Sequence, residues 1–368
     1  MTTHQPAHTD KTELPAESRL KWEFGTAYDF FISLHVLHEP EKFGLRASWA
    51  AGVRSRLPAA ERKFLEEINT FFWAPLHWII TLPEPKDAAT VLFTLRQIPP
   101  AERLAALTFS KELPTEVKDM LLNIQSRRAW NAADLETLRL IEKGKGEQLS
   151  TKTAQAMLDW WAKAEEFGEK ILPALQAYYQ SFFSEEEKRI LPALRTALDN
   201  AQALSQQLSI RQLITELTQG LQFEEKFYTQ EIILGPAYWS TPLVFFADLA
   251  PQKMLLLFGA RPPEASLVPG EQVPDSLLMA LKALADPTRL RILRYLEQEA
   301  HTPAQLARKL RLRAPTVTHH LNELRLAGLV QITLTAEGRQ YSPRKDYLAH
   351  ICEMFEQFLQ TKFGEADQ

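Results

Sequence analysis

The chain has 368 residues, of which 45% are hydrophobic and 24% charged, and its formal net charge is −4. This composition is that of a globular protein of two or three domains, and it excludes a collagen, a disulfide scaffold or a chain that is disordered throughout. The single cysteine, Cys352, cannot form a disulfide within the chain, which fits a reducing compartment.

No segment of the sequence predicts export or membrane insertion. Residues 1–18 lack the apolar stretch of a signal peptide and are predicted to form a disordered tail. The longest nearly apolar run, residues 71–82, is shorter than the roughly 20 residues of a bilayer span. We therefore expect a cytoplasmic protein without membrane contact.

Residues 19–260 predict a helical domain with a small β element. Apolar residues recur at spacings of three and four, as at Leu213, Ile214 and Leu217, and the helical pattern runs from residue 20 to about residue 230. Ser184 is followed by three glutamates, which predicts a helix start with a capping box. Short aliphatic and aromatic runs between residues 231 and 258 predict two or three strands.

Aromatic residues are concentrated in this helical region, which holds all 8 Trp and 17 of the 20 Phe. Such residues line apolar ligand pockets, and they also form large helical cores or interfaces. We favour a core or an interface. His35 and His38 are spaced for a zinc ion, but no cysteine is close, so we favour a structural role for both.

Residues 261–274 contain four prolines and predict a linker across which few contacts pass. The last unit, residues 275–368, is predicted to be an α+β winged helix-turn-helix domain with a final helix. The predicted fold class of the whole chain is therefore mainly α.

Basic residues are concentrated in this last unit. Residues 287–345 carry 11 Lys and Arg against 4 Glu, a net charge of +7, whereas the rest of the chain has a net charge of −11. A local basic surface is what binding to DNA phosphates requires, although charge alone fits a solvated face equally well.

The predicted helix at residues 315–327 has an apolar and a polar side. Val317, Leu321 and Leu324 fall on the side that faces the core. Side chains that can hydrogen-bond to base edges lie on the other side or near the N-terminal end: Thr316, Thr318, His319 and Asn322. Arginines suited to phosphates or to the minor groove lie before the helix and in the wing: Arg311, Arg313 and Arg339.

Four consecutive segments of this unit resemble the ArsR family of bacterial winged-helix repressors. They are LKALADPTRLRIL at 281–293, TPAQLA at 302–307, PTVTHHL at 315–321 and LRLAGLV at 324–330. The resemblance covers about a fifth of the chain. It implies a homodimeric transcription factor that binds a double-stranded DNA operator.

The metal-binding positions of that family hold no ligands in this sequence. Where the resemblance would place a Cys-x-Cys pair, residues 301–306 read HTPAQL, and Leu348 stands where a histidine would be needed. His350 and Glu353 have a suitable spacing, but we favour ordinary surface residues. We therefore predict no metal site and no other cofactor.

The last helix predicts a dimerisation surface. Apolar residues recur along it at spacings of three and four: Leu348, Ile351, Phe355, Phe358 and Leu359. Cys352 is expected to be buried at the same packing face.

Together these patterns predict a sequence-specific DNA-binding regulator of repressor type, without catalytic activity. The N-terminal domain would sense a small organic, non-metal ligand or mediate assembly. One alternative is an enzyme of unknown type in the N-terminal domain, tethered to a regulatory winged helix. Another is a winged helix that makes only protein contacts, which the net charge of the segment and the polar face of its helix disfavour.

Overall fold

The computed structural model describes residues 20–360 with gaps at residues 44, 112, 146–149, 224–226, 229, 242, 263–264, 266–272 and 336–337. The predicted tail and most of the predicted linker lie outside the described residues, so both stay predictions. Helices predominate in the described part, which confirms the mainly α fold class. Among the described helices, none is both long and apolar enough to cross a bilayer.

The N-terminal unit, residues 20–261, is built mostly from helices. They are α1 Ala27–His38, α2 Ala47–Arg54, α3 Ala59–Ile68, α4 Leu76–Ile79, α5 Ala88–Gln97, α6 Pro100–Thr108, α7 Thr115–Arg127, α8 Ala132–Lys145, α9 Thr151–Ala162, α10 Ala164–Tyr178, α11 Ser184–Ser205 and α12 Ile210–Leu217. Its strands are β1 Leu20–Trp22, β2 Leu221–Gln222, β3 Glu231–Ala237, β4 Phe245–Ala250 and β5 Lys253–Gly259.

Helix α1 forms the centre of the N-terminal core, and its residues from Ala27 to Leu37 are all buried. The Phe30 ring packs against Tyr178 and Phe183, with ring centroids 5.6 and 5.0 Å away. Trp161 is also fully buried in this core. These aromatic residues therefore form a helical core, which is the interpretation that the sequence favoured.

Helices α6 and α10 approach each other closely at Gly168. A Cβ atom at this position would lie 1.8 Å from the carbonyl oxygen of Pro100, so no side chain fits. The buried guanidinium of Arg103 donates to the Gly168 carbonyl and also to the carbonyl oxygens of Leu95 and Ile98. This arginine thereby connects the C-terminal end of α5 to α10.

Helices α10 and α11 are one continuous helical segment, joined by a π-helical turn at Tyr179–Phe183. The predicted helix start at Ser184 is therefore wrong, because the chain is already helical before this residue. Phe183, directly before it, is fully buried against Phe30, and this packing holds the turn in the core. Ser184 and the glutamates after it thus lie inside a long helix and form no capping box at its start, whereas Glu187 accepts a hydrogen bond from the Ala88 backbone N–H at the start of α5.

The N-terminal unit contains a four-stranded sheet in the order β1-β3-β5-β4. β1 and β5 pair with β3 in parallel, and β4 pairs with β5 antiparallel. The strands predicted between residues 231 and 258 are confirmed. The sequence predicted that the helical pattern starts at residue 20, where the structure has β1. This short segment is a strand only because it pairs with β3, which is distant in the sequence.

Asp29 on α1 is a fully buried carboxyl. Its two oxygens accept hydrogen bonds from the backbone N–H groups of Tyr238 and Trp239, at 3.1 and 2.7 Å, and so join α1 to the turn after β3. Loss of hydration raises its pKa from 3.8 to about 7, and the charge of Glu186 adds to the rise, while the two N–H donors oppose it.

Asp29 is expected to make the stability of the N-terminal unit depend on pH. Since its pKa is higher in the folded chain than in the unfolded chain, its contribution is complete below about pH 4 and is lost as the pH rises through about 7. Between pH 6 and pH 8 this loss amounts to about 1.4 kcal/mol. Chemical denaturation at both pH values should show it for the wild type, and Asp29→Asn should remove it. Equal pH dependence in both proteins would contradict the assignment.

The C-terminal unit consists of five helices and a β-hairpin within the described residues. They are α13 Asp275–Leu284, α14 Pro287–Leu296, α15 Pro303–Leu310, α16 Ala314–Leu326, β6 Val330–Thr335, β7 Gly338–Pro343 and α17 Lys345–Gln360. They enclose a core of their own, with Leu277, Ile292, Leu306 and Leu321 at its centre. This arrangement is the α+β winged helix-turn-helix that the sequence predicted.

The N-terminal unit also contributes a strand to the wing. β2 pairs in parallel with β6, with Leu221 opposite Ile332 and Gln222 opposite Thr333, so the wing sheet has the order β2-β6-β7. The sequence predicted few contacts between the two units, and this strand pairing is a contact that it did not predict. The domain boundaries themselves stay predictions.

Candidate nucleic-acid interface

Local sequence signals form the helix-turn-helix. The Thr302 hydroxyl caps the first turn of α15, and the Gln305 side chain accepts in return from the Thr302 backbone N–H. Pro303 stands in the first turn, where a missing N–H does no harm. The helix ends at Arg311, which has the left-handed φ of 57°. The chain then turns sharply, and α16 begins three residues later.

The core side of α16 is the one that the apolar spacing predicted. Val317, Leu321 and Leu324 are each 0% exposed. Thr316, Thr318 and His319 are exposed, and Asn322 is half-buried. The first turns of α16 therefore present polar side chains outward, in the manner of a helix that enters a DNA groove.

Thr318 and His319 differ in how freely they can contact a base. The Thr318 hydroxyl donates to the Ala314 carbonyl at 3.0 Å, which leaves its oxygen available as an acceptor. His319 is exposed, and its ring centroid lies 5.9 Å from that of His320. His320 turns inward instead, where its Nδ1 atom lies 4.0 Å from an Asp286 oxygen at the start of α14. The tandem histidines thus point in different directions.

The predicted phosphate-binding arginines are all exposed. Arg311 and Arg313 occupy the turn directly before the N-terminal end of α16. Arg339 lies on β7 opposite Leu334, close to the tip of the wing. The structure therefore brings the predicted arginines to the turn and the wing that flank the polar face of α16. Their contacts with DNA stay predictions.

The wing is attached to the helical core through a third segment. His301 forms an isolated antiparallel bridge with Tyr341, with backbone hydrogen bonds of 3.0 and 2.9 Å. Tyr341 is 2% exposed and packs in the core of the C-terminal unit. Arg339 is therefore carried on a strand whose position the core determines.

The predicted dimerisation residues of α17 fall into two groups. Ile351 is 3% exposed and lies in the core of its own chain, and Leu348 and Phe358 pack partly against that core. Phe355 and Leu359 are 39% and 66% exposed. The surface left for a partner is thus narrower than the sequence predicted. Cys352 is exposed, so its predicted burial is wrong.

The histidines considered as metal ligands have other contacts. His35 Nδ1 lies 3.2 Å from the Asn69 side-chain oxygen, and His38 Nδ1 bonds to the Leu34 carbonyl. His350 and Glu353 are exposed on α17. Over the described ranges, no group of three or more His, Cys, Asp or Glu side chains is arranged to hold a metal ion.

Residues 284–333 match a known family of helix-turn-helix domains. The matched range begins at the last residue of α13 and extends into β6, so it contains the whole helix-turn-helix. No curated protein and no solved structure matches the chain. The match and the geometry agree on a C-terminal helix-turn-helix domain, and such a domain supports a DNA-binding regulator at a general level.

Proposed function

We propose that this protein is a homodimeric transcriptional repressor of ArsR-like type, which binds a double-stranded DNA operator through its C-terminal unit. The observation that carries the proposal is the exposed polar face at the start of α16, with exposed arginines in the turn before it and in the wing. Polar side chains on this face read base edges, while the arginines neutralise phosphates.

The N-terminal unit is assigned a sensing role for a small organic, non-metal ligand, and no catalytic step. The β2–β6 pairing supports this role, because the N-terminal unit extends the sheet that carries Arg339. A ligand that shifts the N-terminal unit would therefore shift the wing relative to α16, and binding of ligand and DNA would be coupled.

Selection of binding sequences from a random DNA pool, followed by titration at several salt concentrations, tests the proposal. The selected DNA is expected to contain two half-sites about one helical turn apart. Operator affinity should fall steeply with salt, and Arg311→Gln with Arg313→Gln should reduce the log–log salt slope by about 2. Arg195→Gln, at an exposed position on α11, is the control and should leave the slope unchanged. Absence of any salt-dependent DNA binding would refute the proposal.

A further inference from the structure

A crevice of about 50 Å³, open to solvent on one side, lies where the N-terminal unit meets the C-terminal unit. The N-terminal unit contributes Thr241 and Arg261 to its walls, and the first turn of α13 contributes Asp275. Leu326 and Ala327 form another wall, at the C-terminal end of α16, which is the recognition helix of the proposed function. An occupant of this crevice would therefore touch the N-terminal unit and the recognition helix at the same time.

Arg261 is a buried cation, and one nitrogen of its guanidinium group has no acceptor among the described residues. Its side chain is 5% exposed, and its Nη2 atom donates to the Thr241 carbonyl at 3.2 Å. Arg261 lines the crevice, and its Nη1 atom has no hydrogen-bond partner in the part of the chain that the structure describes. The nearest described carboxylate oxygen, on Asp275, lies 3.9 Å from Nη1, beyond hydrogen-bond distance.

A buried guanidinium N–H without an acceptor is energetically costly, and a carboxylate is the acceptor that its planar geometry fits best. Burial also lowers the pKa of Arg261, because the charged form loses hydration. The crevice adds a second attraction for an anion, since α13 begins in its wall and a helix N-terminus carries partial positive charge.

The remaining lining is mostly apolar, although Gln219 and Ser276 also contribute to it, and its apolar part defines the remainder of the ligand. Pro262, Met279 and Leu326 offer hydrocarbon surface within the same crevice. A compact apolar body attached to a carboxylate would cover this surface while its charged end faces Arg261. Asp275 would compete with such a ligand for Arg261, because its own carboxylate oxygen lies 3.9 Å from Arg261 Nη1.

We propose that this crevice binds a small organic carboxylate, with the carboxylate group on Arg261 and the apolar body against Met279 and Leu326. This inference rests on the proposed function, in which the bound compound is the effector. Binding displaces the Asp275 carboxylate from Arg261 and fills the space beside the end of α16. The arrangement of the recognition helix with the ligand bound therefore differs from its arrangement without the ligand.

The test uses the full chain without DNA, titrated by calorimetry at constant ionic strength with acetate, propionate, benzoate and phenylacetate. At least one acid should bind saturably, and its neutral amide should bind at least tenfold more weakly. Arg261→Gln should weaken binding at least tenfold, whereas Asp275→Asn should strengthen it several-fold by removing the competing carboxylate. Arg195→Gln, which removes the same charge from an exposed position on α11, should bind like the wild type.

Several outcomes would overturn the inference: no saturable binding of any of the four acids, equal binding of acid and amide, or unchanged binding by folded Arg261→Gln. Circular dichroism shows whether that variant is folded. If it is not, Asp275→Asn and the amide comparison decide: weaker or unchanged binding by Asp275→Asn counts against the site.

A second titration in the presence of selected operator DNA separates this inference from the proposed function. The affinity for the acid should change when DNA is bound, because coupling between two sites is reciprocal. DNA binding without acid binding refutes only the crevice. Acid binding without any DNA binding refutes the proposed repressor and leaves the site intact, and unchanged acid affinity on DNA refutes the effector role.

Discussion

Replacing Phe355 with aspartate is expected to produce a monomer that binds operator DNA on the order of a hundredfold more weakly than the wild type. Phe355 and Leu359 are the exposed apolar side chains of α17, with 39% and 66% of their surface accessible. A partner subunit that covers them would exclude water from both, and a carboxylate in such an interface would be buried without a counter-charge. A monomer contacts only one half-site and loses the advantage of two linked contacts.

Sedimentation velocity and operator titration measure the two effects. Ala349→Asp is the matched control, because it places the same charge on an exposed position of α17 away from Phe355 and Leu359. This control should remain dimeric and bind normally. A dimer of Phe355→Asp with unchanged operator affinity would refute the assignment of α17.

The position of the substitution matters because the residues of α17 are not equivalent. Ile351 is 3% exposed within its own chain, so aspartate there would disrupt the core of the C-terminal unit and say nothing about a partner. Phe355 is exposed enough for the variant to fold. A folded monomer is therefore the informative result.

Replacing Thr318 and His319 together with alanine is expected to abolish the preference for operator over random DNA while weak general binding remains. Each lost polar contact with a base edge should cost about 1–3 kcal/mol of discrimination, which is about 5- to 150-fold. Arg311 and Arg313 are unchanged in this variant, so the salt-dependent attraction to phosphates should persist. Both replaced side chains are exposed, and the fold should be retained.

Competition between labelled operator and unlabelled random DNA measures this discrimination directly. His350→Ala removes an exposed imidazole from α17 and is the control for loss of a histidine elsewhere. It should discriminate like the wild type. If the double variant also discriminates like the wild type, the outward face of α16 does not read the operator.

The C-terminal helix-turn-helix could be predicted from the sequence, because the signals for this unit are local. Pro303 after the capping residue Thr302 marks the start of α15, and Gly328, with a φ of 71°, follows the end of α16. The spacing of Val317, Leu321 and Leu324 predicted the buried side of α16 and left the polar residues facing outward. Each of these signals acts within one or two helical turns.

How distant segments meet depends on tertiary packing, which local sequence patterns do not show. Strands β1 and β2 consist of three and two residues, too few to show a period, and each is a strand only because β3 or β6 pairs with it. Likewise, no sequence pattern could place Arg261 beside the first turn of α13, because this contact arises only in the folded chain. The apolar spacing of α17 likewise predicted an apolar face on this helix, but not which elements cover each of its residues. Packing buries Ile351 in its own chain and leaves Phe355, Leu359 and Cys352 at the surface, because burial depends on what other elements pack against a helix face.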